Sequence, residues 1–128
     1  MAINIVLVEP EIPQNTGNII RTCACINANL HLIRPLGFSL DEKHLKRSGL
    51  DYSDLVNLNI YDSFEEFEKL NPGEYFLLTT KTNRLYTDVQ YKDNCYLIFG
   101  KETKGLSLEI KDKYKKGLIR LPMVNSER

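Results

Sequence analysis

The chain has 128 residues and a mass of 14.8 kDa, enough for one domain that buries roughly two-thirds of the surface its unfolded form exposes, and too few for a two-domain enzyme. Seventeen basic residues balance 17 acidic ones, and 42% hydrophobic with 27% charged residues is ordinary globular composition, which excludes a disordered tail or a uniformly basic nucleic-acid arm. Any contact with nucleic acid therefore has to come from local patches.

Ile3 to Val8 is a nearly unbroken apolar run, as expected of a central strand in a parallel sheet covered on both faces. It stops at Glu9-Pro10-Glu11-Ile12-Pro13, where two prolines force an extended loop. Asn15 or Thr16 is expected to cap a helix running to about Ala28, with Ile19, Ile20, Cys23 and Ile26 at helical spacing. Leu30 to Ile33 reads as a strand, Asp41 to Ser48 as a short helix ended by Gly49, and Leu58 to Tyr61 as a third strand. Ser63-Phe64-Glu65-Glu66 fits a capping box for a helix through about Leu70, stopped by Asn71-Pro72-Gly73. Tyr75 to Thr79 and Tyr96 to Phe99 are two further buried-looking strands. Ser107 to Lys115 reads as an amphipathic helix and Leu118 to Leu121 as a sixth strand ending at Pro122. Strands and helices alternate throughout, so the fold class is α/β with a mainly parallel sheet and flanking helices, in a single domain over residues 1–128.

Cys23, Cys25 and Cys95 have neither disulfide nor zinc-ribbon spacing, so buried, inert thiols in a reducing cytoplasm are expected. His31 in a strand pattern and His44 in a charged helix lack a second histidine or cysteine at ligand spacing, so no metal site is expected. No apolar run approaches the ~18 residues of a membrane span, and Met1-Ala2-Ile3-Asn4 lacks the features of a signal peptide, which points to a soluble, untargeted protein.

In open α/β sheets ligands bind beyond the carboxyl ends of the strands, and three of those loops carry unusual residues. Asn15-Thr16-Gly17-Asn18-Ile19-Ile20-Arg21 offers backbone N–H groups at a helix start, with Arg21 one turn on from Gly17 along the same face; a capped helix with a surface arginine is the alternative. G-x-G-x-x-G is absent, so this is not the usual dinucleotide turn. Gly100-Lys101-Glu102-Thr103-Lys104-Gly105-Leu106 is not a P-loop, and its two glycines around a carboxylate suit a tight turn that admits a flat ligand. Leu121-Pro122-Met123 begins a rigid turn that suits one wall of an apolar slot. Residues 101–128 hold eight Lys or Arg against four Asp or Glu, and Lys43, Lys46, Arg47, Lys81 and Arg84 add basic spots that, with Arg21, suit phosphate contacts.

Taken together the three loops resemble the SpoU branch of the SPOUT class of RNA 2′-O-ribose methyltransferases, across the whole chain. Asn15-x-Gly17-x-x-x-Arg21, Phe99-Gly100-x-Glu102-x-x-Gly105-Leu106 and Leu121-Pro122-Met123 match its three motifs in order. Glu9-Pro10-Glu11-Ile12-Pro13-x-Asn15-Thr16-Gly17-Asn18-Ile19-x-Arg21 and Arg47-x-Gly49-Leu50-Asp51-Tyr52 resemble the small members that methylate the wobble nucleotide of tRNA. The resemblance implies a deep trefoil knot and a homodimer acting with S-adenosylmethionine, and no metal, on the ribose of nucleotide 34 in the tRNA anticodon stem-loop, cytidine or modified uridine. It implies that Leu78, Thr79, Gly100, Glu102, Gly105, Leu121 and Met123 hold the methyl donor, and that Arg21 is catalytic, assisted by Asn15. Arg21, Lys43, Lys46, Arg47 and Lys81 are the expected RNA contacts. A guanidinium stays protonated and is a poor general base, so Arg21 is expected to bind a phosphate and stabilise the emerging alkoxide. Family members continue past Asn125-Ser126-Glu127-Arg128 into a helix that closes the knot, and that segment is expected either to lie beyond these 128 residues or to be missing from the protein. Methylation of ribosomal RNA, a non-catalytic RNA-binding module and a flavodoxin-like nucleotide-binding domain are the alternatives.

Overall fold

The computed structural model describes residues 3–11, 13–37, 58–79, 84–85, 95–100 and 105–120, with the backbone alone for residues 13–15. Among them, β1 (Asn4–Val8), β2 (Asn29–Ile33), β3 (Leu58–Tyr61), β4 (Glu74–Leu78), β5 (Cys95–Phe99) and β6 (Leu118–Ile119) form one sheet in the order β3-β2-β1-β5-β4-β6. Every pairing is parallel, with Ile5 opposite Leu30 and Leu97, and Leu77 opposite Ile98 and Leu118. This is the α/β architecture that the alternation of strand and helix patterns predicts.

Strand side chains alternate between two differently built layers. Leu7, Leu30 and Leu32 pack with Ile19, Ile20 and Cys23 of α1 (Pro13–Cys25) in a largely aliphatic layer. Their neighbours Val6, Val8, Ile33, Tyr61, Tyr75, Leu77, Tyr96 and Ile98 face the other way, against Phe64 and Phe67 of α2 (Phe64–Leu70) and Ile110 of α3 (Leu108–Lys113). Phe67 is completely buried and has ring centroids of Phe64, Tyr61, Tyr75 and Tyr96 within 5.8 Å. Among the described residues no helix is long and apolar enough to cross a membrane.

Helix ends explain where sequence patterns and structure part. α1 begins at Pro13, ahead of the expected caps Asn15 and Thr16, because proline suits a first helical turn, with φ preset and no N–H to satisfy. It closes at Cys25 in a Schellman turn, with Asn27 at φ 57°, the Ala28 N–H donating to the Cys23 carbonyl at 2.8 Å and the Asn27 N–H to that of Ala24 at 3.3 Å. Cys23 and Cys95 are buried, whereas Cys25 is exposed; two residues along a helix from Cys23, it turns off the packed face, against the expectation of three buried thiols. Ser63 caps α2 by accepting from the Glu66 N–H at 3.1 Å, while the Glu66 carboxylate reaches the Asp62 N–H at 2.9 Å instead of that of Ser63, so the capping box is half as written. α3 ends at Lys113, earlier than expected, and passes through a 3₁₀ turn at Lys115–Gly117 into β6. Gly117 lies so close to β4 that a Cβ there would fall 2.1 Å from the Tyr75 carbonyl oxygen. The expected helix Asp41–Ser48, and Leu121 and Pro122 of the expected sixth strand, lie outside the described residues.

One buried polar network crosses the aromatic layer. Asn4 Oδ1 accepts from Asn29 Nδ2 and from His31 Nε2, both at 3.2 Å, which leaves His31 Nδ1 to accept from the Tyr61 hydroxyl at 2.8 Å. Tyr61 accepts in turn from Asn71 Nδ2 at 3.1 Å, and Asn71 O accepts from the Tyr75 hydroxyl at 2.6 Å. These directions require a neutral imidazole, and burial likewise lowers the His31 pKa to about 4. His31 is thus a satisfied core residue.

Candidate active site at the carboxyl edge of the sheet

The sheet has a switch point between β1 and β5, its two central strands. β1 leads into α1 on one face and β5 leads into α3 on the other, so their connections diverge, the arrangement at which open α/β sheets place a ligand crevice above the carboxyl ends of the two strands. On one side of it, Glu9 adopts φ 53° and donates its N–H to the Ile33 carbonyl at 2.9 Å, with Pro10 buried beneath. The Gly37 N–H donates to the Pro10 carbonyl at 2.9 Å, and a Cβ on Gly37 would lie 2.7 Å from the Glu11 carbonyl oxygen. The loops after β1 and β2 are therefore strapped together just before α1 starts. Gly37 was missed in the sequence; a glycine soon after a proline in a loop following a strand was its only signal.

Within α1, Gly17 is buried and Arg21, one turn later, is exposed, so their shared stripe runs from the packed face to solvent. Asn15 has its backbone in the first turn. Thr16 is almost completely buried, and its hydroxyl oxygen has no hydrogen-bond partner among the described residues, a feature the expected capping role does not anticipate.

On the other side of the crevice the ends of β5, β4 and β6 stand next to one another. Leu78 ends β4, and the Thr79 N–H donates to the Ile119 carbonyl of β6 at 3.0 Å. Gly100 follows β5 directly, and a Cβ there would lie 2.2 Å from the Gly105 carbonyl carbon and from the Leu106 nitrogen. The loop thus returns onto its own start, Gly105 makes the bend at φ 68°, and Leu106 anchors the return in the core. Arg120 donates its N–H to the Arg84 carbonyl at 2.8 Å, so the chain beyond β4 pairs with the chain leaving β6. Leu78, Thr79, Gly100 and Gly105 are brought to one edge; Glu102, Leu121, Met123, Lys43, Lys46, Arg47 and Lys81 lie outside the described residues.

Among the described residues the groups with perturbed ionisation sit in the packed layers. Burial pushes the Cys23 thiol and the Tyr75, Tyr96 and Tyr114 hydroxyls upward, and Glu68 adds to the effect at Tyr75 and Tyr114. A groove between α2 and α3, floored by Phe64 and Ile110, belongs to the layer opposite α1 and contains none of the expected site residues.

Residues 2–128 match the model of the SpoU rRNA Methylase family. A Listeria innocua protein provisionally named tRNA (cytidine(34)-2′-O)-methyltransferase is 51% identical over 98% of this chain and 76% of its own length. The Escherichia coli (strain K12) tRNA (cytidine(34)-2′-O)-methyltransferase is 47% identical over 98% of this chain and 82% of its own. A solved structure described as giving insights into the 2-OH methylation of C/U34 on tRNA superposes with a TM-score of 0.88 at 38% identity, over 99% of this chain and 84% of that one. At 20% identity, the SpoU methyltransferase AviRb of Streptomyces viridochromogenes, solved with AdoMet, shares the fold with a TM-score of 0.80 over 99% of this chain and 51% of its own.

Proposed function

Because the chain belongs to the SpoU methylase family, we propose that it transfers a methyl group from S-adenosylmethionine to the ribose 2′-hydroxyl of tRNA nucleotide 34, cytidine or modified uridine. The observation that supports this reading is that the segments carrying the first two motifs leave adjacent parallel strands, β1 and β5, at the same edge of the sheet, with the end of β6 two strands away. High identity to proteins named for position 34, over most of their length, favours tRNA over the ribosomal RNA in the family's description.

The residues present suit the methyl donor. At Gly100 the loop is closed so tightly that backbone groups, with no side chain between them, border the space above β5. Leu78, Thr79, Gly100, Glu102, Gly105, Leu121 and Met123 would hold the donor, which when bound supplies an electrophilic methyl group on a sulfonium. Arg21 binds the phosphate beside the target ribose and stabilises the developing 2′-alkoxide, whose proton passes to water, while Asn15 orients it. Aligning the 2′-oxygen with the methyl carbon supplies much of the acceleration, because the leaving sulfur is already activated. Lys43, Lys46, Arg47 and Lys81 contact phosphates of the anticodon stem-loop. The reading extends to a cytoplasmic homodimer whose sheet carries a deep trefoil knot.

The test is to map 2′-O-methylation in unmodified tRNA and in ribosomal RNA incubated with the protein and donor. Methylation at nucleotide 34 is expected. Its absence from every isoacceptor sinks the assignment, and a mark on ribosomal RNA alone moves the substrate to the alternative class.

A further inference from the structure

The zero net charge of the chain is divided in space. Residues 62–74 hold five acidic side chains against Lys69, and residues 111–120 hold five basic ones against Asp112. The two segments touch where Lys113 Nζ meets Glu68 Oε2 at 2.7 Å, so Lys113 is spent on that pair. Beyond it the basic segment runs on to the outermost strand. Lys115 and Lys116 are exposed on the 3₁₀ turn before β6, and Arg120 follows the strand. Arg84 Nη1 donates to the Lys116 carbonyl at 2.5 Å while its own carbonyl accepts from the Arg120 N–H at 2.8 Å. Two segments distant in sequence therefore bring Arg84, Lys115, Lys116 and Arg120 together at one rim of the sheet, and a guanidinium bonded to a carbonyl of the 3₁₀ turn fixes the backbone that carries the lysines.

Two exposed lysines held side by side on a fixed backbone, with Arg120 the next cation along the chain, present a cationic surface that a polyanion complements. We propose that this ridge at the β6 rim is a second phosphate-contacting surface for the RNA, separate from the nucleotide that is methylated; it rests on the reading of the protein as an RNA ribose methyltransferase. β6 stands three strand spacings, roughly 14 Å, from β1, a span that a folded RNA covers while its target ribose sits at the crevice. The acidic surface of α2, on the far side of the Lys113–Glu68 pair, repels the same backbone and gives the RNA one orientation.

Binding of fluorescently labelled tRNA, followed by anisotropy across a salt series, reads the ridge directly. Each phosphate contact contributes a slope of about 0.7 to 0.9 in log K against log salt, or about 5-fold in affinity at 0.1 M. The Lys115→Gln/Lys116→Gln variant is therefore expected to weaken binding about 25-fold at 0.1 M salt and to flatten the slope by about 1.5. The corresponding Lys→Arg double variant restores both, and Lys113→Gln leaves the slope unchanged. Wild-type affinity and slope in the double glutamine variant, with an unaltered circular dichroism spectrum, overturn the ridge. Methyl transfer by the wild-type protein is scored separately: if it modifies no RNA, the enzyme reading fails, whatever the binding data show.

Discussion

His31 couples the stability of the fold to mild acid. In the folded chain it is only 4% exposed, its two ring nitrogens are committed to Asn4 and Tyr61, and its pKa falls to about 4 from an ordinary 6.5. Above pH 6.5 the imidazole is neutral in both folded and unfolded chains, and its contribution is fully present. As pH falls from 6.5 toward 4 only the unfolded chain takes up the proton, so stability is lost across that window and the loss levels off below it. A shift of this size corresponds to about 3 kcal/mol, of the order of a quarter to a half of the total stability of a typical small domain. Protonation would also turn Nδ1 into a donor facing the Tyr61 hydroxyl, which already accepts from Asn71 and would have to give up its own donated bond. Urea unfolding of the wild type and His31→Phe, at half-unit steps from pH 7.5 to 4, isolates the effect. The variant is expected to be less stable at pH 7.5 by about 1–3 kcal/mol, because Asn4 and Tyr61 lose a partner. It should then show a shallower fall with acid, so that the two curves converge or cross near pH 5. Parallel curves over pH 6.5–4 would refute the assignment, as would an imidazole that titrates near 6.5 by NMR in the folded protein.

Three further outcomes follow from the geometry. Gly100→Ala places a Cβ 2.2 Å from backbone atoms of Gly105 and Leu106 and forces the loop open; calorimetric titration with S-adenosylhomocysteine should show affinity reduced by about tenfold or more, and unchanged affinity would remove that loop from the donor site. Arg21→Ala should lower the rate of methyl transfer at saturating RNA by about 10²–10³-fold, with partial recovery in Arg21→Lys, which keeps the charge but loses the planar fork; a loss within a few-fold of wild type rules out stabilisation of the developing oxyanion. Ser63→Ala removes the cap that accepts from the Glu66 N–H and should cost about 1 kcal/mol in urea unfolding, with methyl transfer unaffected; an unchanged midpoint would show that α2 is held by Phe67 alone.

The inner strands β1, β2, β4 and β5 were legible because each is a short, largely apolar run buried on both faces, a pattern that few other elements share, whereas β3 at the sheet edge exposes Asn59 and Ile60. Their order was not. The insertion of β5 between β1 and β4 depends on contacts between residues some ninety positions apart, such as Asn4 Nδ2 donating to the Cys95 carbonyl, and no local pattern encodes them. Helix ends failed where backbone approach overruled side-chain chemistry: α3 stops because Gly117 must pass under the Tyr75 carbonyl, and α1 starts at a proline, not at the polar residues behind it. The candidate site was legible in the segments after β1 and β5, since strand ends can be counted along a chain, while the third loop, residues 121–123, lies outside the described residues. That Gly100 is packed against the return of its own loop, and that Gly37 clamps the approach to α1, became visible only once the backbone was folded. The phosphate ridge was half legible: the cationic excess of residues 101–128 is plain in the sequence, but the bond from Arg84 that gathers it is not.

The unequal make-up of the two layers has a consequence for anyone following this protein by light. The chain has no tryptophan and seven tyrosines, and the four described inside the fold, Tyr61, Tyr75, Tyr96 and Tyr114, all belong to the layer under α2 and α3. Ring-to-ring contacts as close as 5.0 Å between Tyr75 and Tyr114 couple their transitions, so these four weight tyrosine emission and near-ultraviolet dichroism toward that side of the sheet. Among the described residues the α1 layer, built from Leu7, Ile20, Leu30 and Leu32, adds no tyrosine of its own. Phe99→Trp would put an indole beside α1 and give the aliphatic layer its own signal. Unfolding traces recorded at the two wavelengths would then report whether the layers melt as one cooperative unit or part company.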